Sequence, residues 1–585
     1  MVQELYTYRA EKKVILQKQE NQFVIRTNPD NLKKVDTLLD VEQVSPASFR
    51  ITTDESNLDH LMNIAREMAP AHHAYYRIET NDEFLITDRI FVKFRKVISE
   101  EETTLFTSRY KLLLLEKYDD YNYLFQLTNA TDMNPIKLIV KLMEEETIVE
   151  SADHDLNHQM HTYDLEIPRD EAYSKQWHLH THFRNTEYDS RSSTRCEDAW
   201  KLLGHFGSED IVIGITDDGC KIDHPDFNSS NKFAGYGYFK DERLFTNSDS
   251  DFQKQQMYIK CKNHGTSCAG IVAAEVDAQF TVGAAPGCRL LPIKWESKEE
   301  GLFISDSKLM TVLNYIADKI DILSNSWGRS PERTWPTQVL DKITELATTG
   351  GRRRKGIIFL WAAGNENCPI EHNALVEVPY TDGWENGSWI GVKKAKNFHH
   401  SLVGIPGVIF IGALSSTAQR SHYSNYGSGL SISAPSSNLH EYFRMPVKGI
   451  PITTATGSIP VLHGACIPEN VTSRFGGTSS ATPLVAGIAA LTISANPQLS
   501  ALEVVSILKS TASKNLNFEG YPKTPPSPFD RDISWDISPI PPFDKGTFID
   551  IGSNDGTWSP WFGYGRVDAL DAVKAALKRR QEPII

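Results

Sequence analysis

Four short segments place chemically useful side chains beside residues able to anchor them. Ile211-Val-Ile-Gly-Ile-Thr-Asp217-Asp218-Gly219 is an apolar run that ends on carboxylates. Open α/β sheets carry their sites at the carboxyl ends of such strands, although Asp-Gly there is also an ordinary turn. His264-Gly-Thr-Ser-Cys-Ala-Gly270 starts a run of small residues with an imidazole. Gly476-Gly-Thr-Ser479-Ser-Ala-Thr-Pro483 puts a hydroxyl at a helix amino end, a position that alone reads as an N-cap. Trp361-Ala-Ala-Gly-Asn365 delivers an amide after a buried strand. Taken singly each has a purely structural reading; together they hold the parts of acyl transfer. A serine hydroxyl is a poor nucleophile until an imidazole takes its proton, a carboxylate orients that imidazole, and the oxyanion needs donors such as the Asn365 amide and the Ser479 N–H.

Those groups need a rigid frame. Apolar runs at 211–215, 290–293, 322–325, 357–362 and 408–411 alternate with helical segments at 264–276, 307–319, 337–348 and 480–493. Continuous apolar strands between helices indicate a parallel sheet covered on both faces, so residues 191–585 are expected to form a doubly wound, mostly parallel α/β domain. Residues 521–561, rich in Pro, Asp and aromatics, read as a surface excursion before a last helix at 567–578. Residues 1–85 read as a small α+β unit with strands at 23–26, 48–52 and 74–78 and helices at 31–39 and 57–68, with no chemistry of its own. Over 86–157 the order is strand 89–94, helix 100–110, strands 112–116 and 121–127, helix 135–143 and strand 147–150, a ferredoxin-like α+β arrangement. Polar, His-rich residues 158–190 read as a linker.

The 585 residues suffice for two or three domains, with 40% hydrophobic and 23% charged residues, as in globular chains. With 61 Lys+Arg against 75 Asp+Glu the net charge is −14, which disfavours nucleic acid or an anionic membrane as main partner. The first residues show no signal-peptide pattern and no window approaches the length of an apolar membrane span. Seven cysteines without an export signal suggest reduced thiols and a cytoplasmic setting.

The four segments together resemble the subtilisin-like serine peptidases, in the chain order Asp, His, Ser known for subtilisin. The resemblance covers most of residues 176–576 and extends to Ser324-Asn-Ser-Trp-Gly328, His422-Tyr-Ser-Asn-Tyr-Gly427, Ala434-Pro435 and Gly563-Tyr-Gly-Arg-Val567. It implies a serine endopeptidase with a triad of Asp217, His264 and Ser479. Asn365 and Ser479 are the implied oxyanion donors, with substrate contacts at Ser324, Asn325, Ser326, Trp327, Gly328, Ala362, Ala363 and Gly364. The ferredoxin-like unit resembles the family's propeptides, so the resemblance implies a zymogen whose amino-terminal region acts as intramolecular inhibitor and chaperone, with processing in the 158–190 zone. A regulated intracellular effector is a further reading, and a silent peptide-binding protein on the same fold is the alternative from another class.

Asp217-Asp218 and the His264 segment are similar to the kexin and furin branch. That likeness implies basic P2 or P4 residues read by Asp218, Glu296, Glu299 and Glu300. Arg329-Ser-Pro-Glu332 lacks the branch's acidic pair, so P1 is not expected to be confined to Arg. No cofactor is required for the chemistry. Structural calcium is common in the family, but its ligands are not identifiable here, and residues 247–251 fail EF-hand spacing. The insertions at 366–407 and 442–470 are expected to rim the cleft or bind a partner, and Arg352-Arg-Arg-Lys355 reads as a solvated loop, with a cleavage or docking site as the alternative. Helical spacing permits Cys268, four residues after His264, to sit beneath the imidazole, the alternative being a small buried core residue out of its reach.

Overall fold

Alternation within continuous apolar strands is what lets one sheet feed two cores. In the strand Ile358–Ala362, Ile358 and Leu360 pack with one set of helices while Phe359 and Trp361 pack with the other. The computed structural model describes residues 5–27, 40–45, 48–78, 83–156, 165–298, 301–385, 388–440, 447–460, 466–520 and 544–581. They divide into two compact units, Met1–Tyr163 and Asp164–Ile585.

In the second unit eight strands run in the order Arg243–Thr246, Gly237–Lys240, Arg289–Lys294, Val212–Asp217, Ile322–Asn325, Ile358–Ala362, Val408–Leu414 and Leu430–Pro435. All neighbours are parallel except the first hairpin. From Val212–Asp217 the chain turns first to one side of the sheet and then to the other, which opens a crevice at that strand's carboxyl end. Helices His264–Ala273 and Thr478–Ala495 pack on one face, and Asp306–Ile316 and Thr337–Thr349 on the other. Thr478–Ala495 is apolar and long enough to cross a membrane by composition, yet every residue in it other than Ser479 is buried in the core. The doubly wound fold expected from the sequence is the one observed.

The first unit corrects the expected boundary at residue 85. Its four-stranded antiparallel sheet, ordered Leu112–Lys117, Asn122–Leu127, Ile86–Phe94 and Val149–Leu156, carries helices Glu100–Tyr110 and Pro135–Glu145 and has the expected ferredoxin-like order. The preceding antiparallel sheet, with helix Glu55–Met68, is not separate from it. Leu16, Tyr75, Phe84, Ile86 and Ile136 share one core, and Thr7 Oγ1 lies 2.7 Å from His154 Nε2 in a buried hydrogen bond. The helix expected at 31–39 lies outside the described residues.

Two further expectations change. Much of the 158–190 linker is core: Tyr173, Trp177 and Leu179 are buried, and Gln176 Nε2 donates to the Val282 carbonyl at 2.7 Å. Within the 521–561 excursion, residues 521–543 lie outside the described set, but Trp558 and Trp561 are buried and Trp558 Nε1 donates to the Leu430 carbonyl at 2.8 Å.

Candidate active site

Asp217 closes the strand Val212–Asp217 at the crevice, and His264 opens the helix His264–Ala273 above it. Their closeness depends on Gly265, where a Cβ would meet the Gly219 carbonyl at 2.1 Å and Asp217 Cβ at 2.7 Å. His264 Nδ1 lies 2.8 and 3.0 Å from the Asp217 oxygens, so Nδ1 carries the proton and Nε2 is left as the base. Burial pushes the His264 pKa down, but the Asp217 charge together with its hydrogen bond outweighs this and holds it well above 6.5. The Phe475 ring stands edge-on to the imidazole, 5.3 Å between centroids.

Asp218 has a role the sequence did not suggest. The helix N-cap, Asn263, makes no side-chain capping bond; the Asp218 carboxylate instead accepts from His264 N at 3.3 Å and Gly265 N at 2.8 Å. It therefore caps the helix that carries the base. Burial and the adjacent Asp217 charge push its pKa up to about 6.

Ser479 is the second residue of Thr478–Ala495, reached through Gly477 at φ +75°, a conformation that favours glycine. Its hydroxyl donates to the Ser326 carbonyl at 3.3 Å rather than to His264, a loose arrangement common in unliganded sites. Pro483 has no N–H, so the Ser479 carbonyl loses its helical partner four residues on. Ser326 Oγ at 3.0 Å and Cys268 Sγ at 3.5 Å supply the missing donors. Cys268 Sγ also lies 3.9 Å from His264 Nδ1, so the expected placement beside the imidazole holds. Burial pushes this thiol's pKa up to about 11.

Asn365 turns its Oδ1 toward Thr478, accepting from N at 2.8 Å and Oγ1 at 3.0 Å. Among the described residues none accepts from Nδ2, which lies 3.1 Å, and Ser479 N 3.5 Å, from the position a Cβ on Gly477 would take. The loop that carries it is clamped by Asn425, a buried residue of the His422–Gly427 motif. Asn425 Oδ1 accepts from Glu366 N at 3.0 Å and Cys368 N at 3.1 Å, while Nδ2 donates to the Ala363 carbonyl at 3.0 Å and Glu366 Oε2 at 2.7 Å. From the same motif, the Tyr423 hydroxyl accepts from Gly477 N at 3.0 Å and donates to the Ser437 carbonyl at 2.9 Å, holding the turn before Ser479. The motif is visible in the sequence, but its role as a clamp is not.

A cleft of about 1340 Å³ runs past Asp217, His264, Ser326, Trp327 and Gly328. A smaller pocket is lined by Ala362, Ala363, Gly364, Arg329 and Ser330. Ser324 and Asn325, expected to touch substrate, are buried in the sheet instead; Asn325 Oδ1 accepts from Thr216 Oγ1 at 2.7 Å. Of the expected acidic subsite residues, Glu296 is bound to Lys308 Nζ at 2.5 Å and accepts from Asp241 N at 2.8 Å, and Glu299 and Glu300 lie outside the described residues. Both insertions reach these cavities, through His399 and His400 in the smaller one and Thr456, Ser458 and Pro460 in the cleft. In the basic run, Arg353 is not a solvated side chain: Nε donates to Asp321 Oδ1 at 2.8 Å and Nη1 to the Leu499 carbonyl at 2.9 Å.

The expectation of seven reduced thiols is corrected by a disulfide between Cys261, three residues before His264, and Cys466. The remaining five cysteines are free and buried.

Residues 208–554 match the Subtilase family. The chain is 28% identical over 524 residues to the Calcium-dependent protease of Nostoc sp., which covers 85% of this chain and 65% of that protein. It is 26% identical over 430 residues to Neuroendocrine convertase 2 of Caenorhabditis elegans, covering 71% of this chain and 56% of that protein. It thus spans less than two thirds of the length of these relatives. Among solved structures, the serine protease of Aeromonas sobria superposes with a TM-score of 0.50 at 18% identity, over 73% of this chain and 70% of that one, a likeness of fold.

Proposed function

The chain belongs to the subtilase family, and on that premise we propose that it is a serine endopeptidase that cleaves peptide bonds through an acyl-enzyme. The observation that carries the reading is the His264 Nδ1 to Asp217 bond at 2.8 Å, together with a helix that starts at Thr478-Ser479 and is met at its end by Asn365, whose Nδ2 has no acceptor among the described residues. In the first half-reaction Ser479 Oγ attacks the scissile carbonyl carbon while His264 Nε2 takes its proton. Asp217 keeps the imidazole in the correct tautomer and stabilises the imidazolium. Asn365 Nδ2 and the Ser479 N–H donate to the oxyanion as it forms. His264 then gives its proton to the leaving amine, and the C–N bond breaks. Water, deprotonated by His264, hydrolyses the ester and restores Ser479. The test is labelling with a fluorophosphonate beside peptide hydrolysis by wild type, Ser479→Ala and His264→Ala. Labelling confined to wild type, with hydrolysis lowered by about 10⁶ in both variants, is expected. Activity within about tenfold of wild type in either variant would sink the assignment.

The ferredoxin-like half of the amino-terminal unit supports a zymogen in which that unit serves as intramolecular chaperone and inhibitor. Processing would fall before Asp170, since Tyr173 and Trp177 belong to the core. Mass spectrometry of wild type beside Ser479→Ala after incubation tests this; a cut that also occurs in the variant rules out self-processing.

Structural calcium also fits the chain. Asp226 Oδ1 and Asp170 Oδ2 are buried without a hydrogen-bond partner among the described residues, a costly state for two carboxylates. Burial pushes the Asp226 pKa up to about 7; hydrogen bonds from Thr281 oppose this, and the nearby Asp277 and Asp170 charges add to it. Asp170 and Asp226 are the carboxylates that a hard, oxygen-binding cation would meet there, Asp277 being engaged by Gln279 N at 3.1 Å and Gln279 Nε2 at 2.8 Å, and a relative is named a calcium-dependent protease. Bound there, calcium would neutralise the two carboxylates and tie together the segments that carry them.

A further inference from the structure

The chain carries a net charge of −14, yet its cleft has the opposite character. Lys262, Arg329, Arg333 and Arg474 line it. None of the four forms an ion pair with a described residue. The described carboxylates lining the cleft are Asp217 and Asp218, and both are engaged, one on the His264 ring and one on the backbone of the helix that His264 begins. The acids expected to receive basic side chains are thus committed elsewhere, where they are described at all.

The cations line the same cleft as Asp217 and His264. Arg329 follows Gly328 directly, and Arg333 is half-buried against indoles, its guanidinium carbon 4.1 Å from the Trp335 ring centroid and 5.9 Å from that of Trp327. Burial lowers the Arg333 pKa; Asp306 opposes this and the Arg329 charge adds to it, so the two arginines are close enough to repel. On the wall that carries His264, Lys262 precedes Asn263 and Arg474 precedes Phe475. Arg333, half-buried over aromatic rings beside the exposed Arg329 charge, is partnered when an anion arrives, and a guanidinium fixed by stacking is well suited to a carboxylate.

We propose that the cleft selects peptides with acidic side chains near the scissile bond: Arg333 and Arg329 receive one carboxylate beside Trp327, and Lys262 and Arg474 favour another beside Phe475. This rests on the peptidase reading for its chemistry, but recognition is testable without turnover. The probe is a fluorescent decapeptide set in which each position in turn is Glu, Gln or Lys. Its binding to full-length Ser479→Ala is followed by anisotropy at low and high salt, and its cleavage by wild type is normalised to fluorophosphonate-labelled sites. Glu should be favoured over Gln by about tenfold at one or more positions and over Lys by more, with the preference shrinking as salt rises. In Arg333→Glu the Glu-to-Lys ratio at the responding position should invert, while KM carries most of the change. Equal binding of Glu and Gln, preference for Lys, or no binding up to millimolar peptide would overturn the proposal. Failure of Ser479 to label in wild type overturns the peptidase reading instead and leaves the binding comparison decisive for this one.

Discussion

Replacing Asn425 with Ala separates a positioning residue from a merely structural one. Asn425 touches no reacting atom; it clamps the loop Ala363–Cys368 from which Asn365 projects. Its side chain is 1% exposed and is shared among the Glu366 and Cys368 N–H groups, the Ala363 carbonyl and the Glu366 carboxylate. Truncation leaves two donors without acceptors, the Cys368 N–H buried and the Glu366 N–H half-buried, and a half-buried carboxylate short of a donor. At roughly 1–3 kcal/mol for each orphaned group, the local cost is about 3–5 kcal/mol even if part of it relaxes. A loop under that penalty rearranges, and the Asn365 amide is the part of it catalysis needs. The ceiling on the kinetic loss is therefore the worth of one oxyanion donor, about 2.7–4 kcal/mol or 10²–10³ in kcat, the magnitude known for subtilisin's own side-chain donor. Asn425→Ala should lower kcat by about 10² with KM changed by less than about threefold, because the donor acts on the transition state. The double variant Asn365→Ala/Asn425→Ala should then be no slower than Asn365→Ala by more than about threefold, since both remove the same interaction. The assay is steady-state hydrolysis normalised to fluorophosphonate-titrated sites, with a thermal melt to confirm that each variant is folded at the assay temperature. An unchanged kcat in Asn425→Ala, or losses that simply multiply in the double variant, would refute the positioning argument.

The base must be neutral to accept the Ser479 proton, so with His264's pKa held well above 6.5 the acid limb of kcat/KM should rise with pH and have its midpoint above 6.5; a midpoint at or below that value contradicts the assigned geometry. Cys268 lies 3.9 Å from His264 Nδ1 and 3.5 Å from the Ser479 carbonyl, so a mercurial should inactivate slowly, in step with labelling at Cys268, and spare Cys268→Ala; full activity after confirmed labelling would show that the thiol is out of reach. Asp226 is raised to about 7 in the cation-free chain, so its ionisation costs stability as pH climbs from its unfolded value near 4 toward 7, and only the ionised form binds calcium. The calcium-induced rise in Tm should therefore be small at pH 5, large at pH 8 and reduced in Asp226→Asn; a rise independent of pH, or intact in that variant, would place the ion elsewhere.

The range of each interaction sets how much was legible in the residue order. A strand such as Val212–Asp217 is recognisable because both its faces are buried and it is apolar throughout, and the Gly-Thr-Ser turn because only certain residues make it. Periodicity thus determined the doubly wound sheet and the ferredoxin-like order, and short motifs, with the family they resemble, singled out Asp217, His264, Ser479 and Asn365 as the candidate site. The partners those residues depend on sit far away in sequence. Asp218 caps a helix 46 residues on, Asn425 reaches back 59 residues to Glu366, and Cys261 pairs across 205 residues with Cys466. No local pattern marks such pairs, because each side chain alone has an ordinary solvated reading. Tertiary structure decided that Asp218 is a cap, that Ser324 and Asn325 lie inside the sheet, that residues 1–85 share a core with the ferredoxin-like half of their unit, and that four cations of an acidic chain converge on its cleft. The physical reason is the same in each case: hydrogen bonds, charge pairing and burial depend on which segments the fold brings within a few ångströms, and linear spacing specifies that only within a helix or a turn.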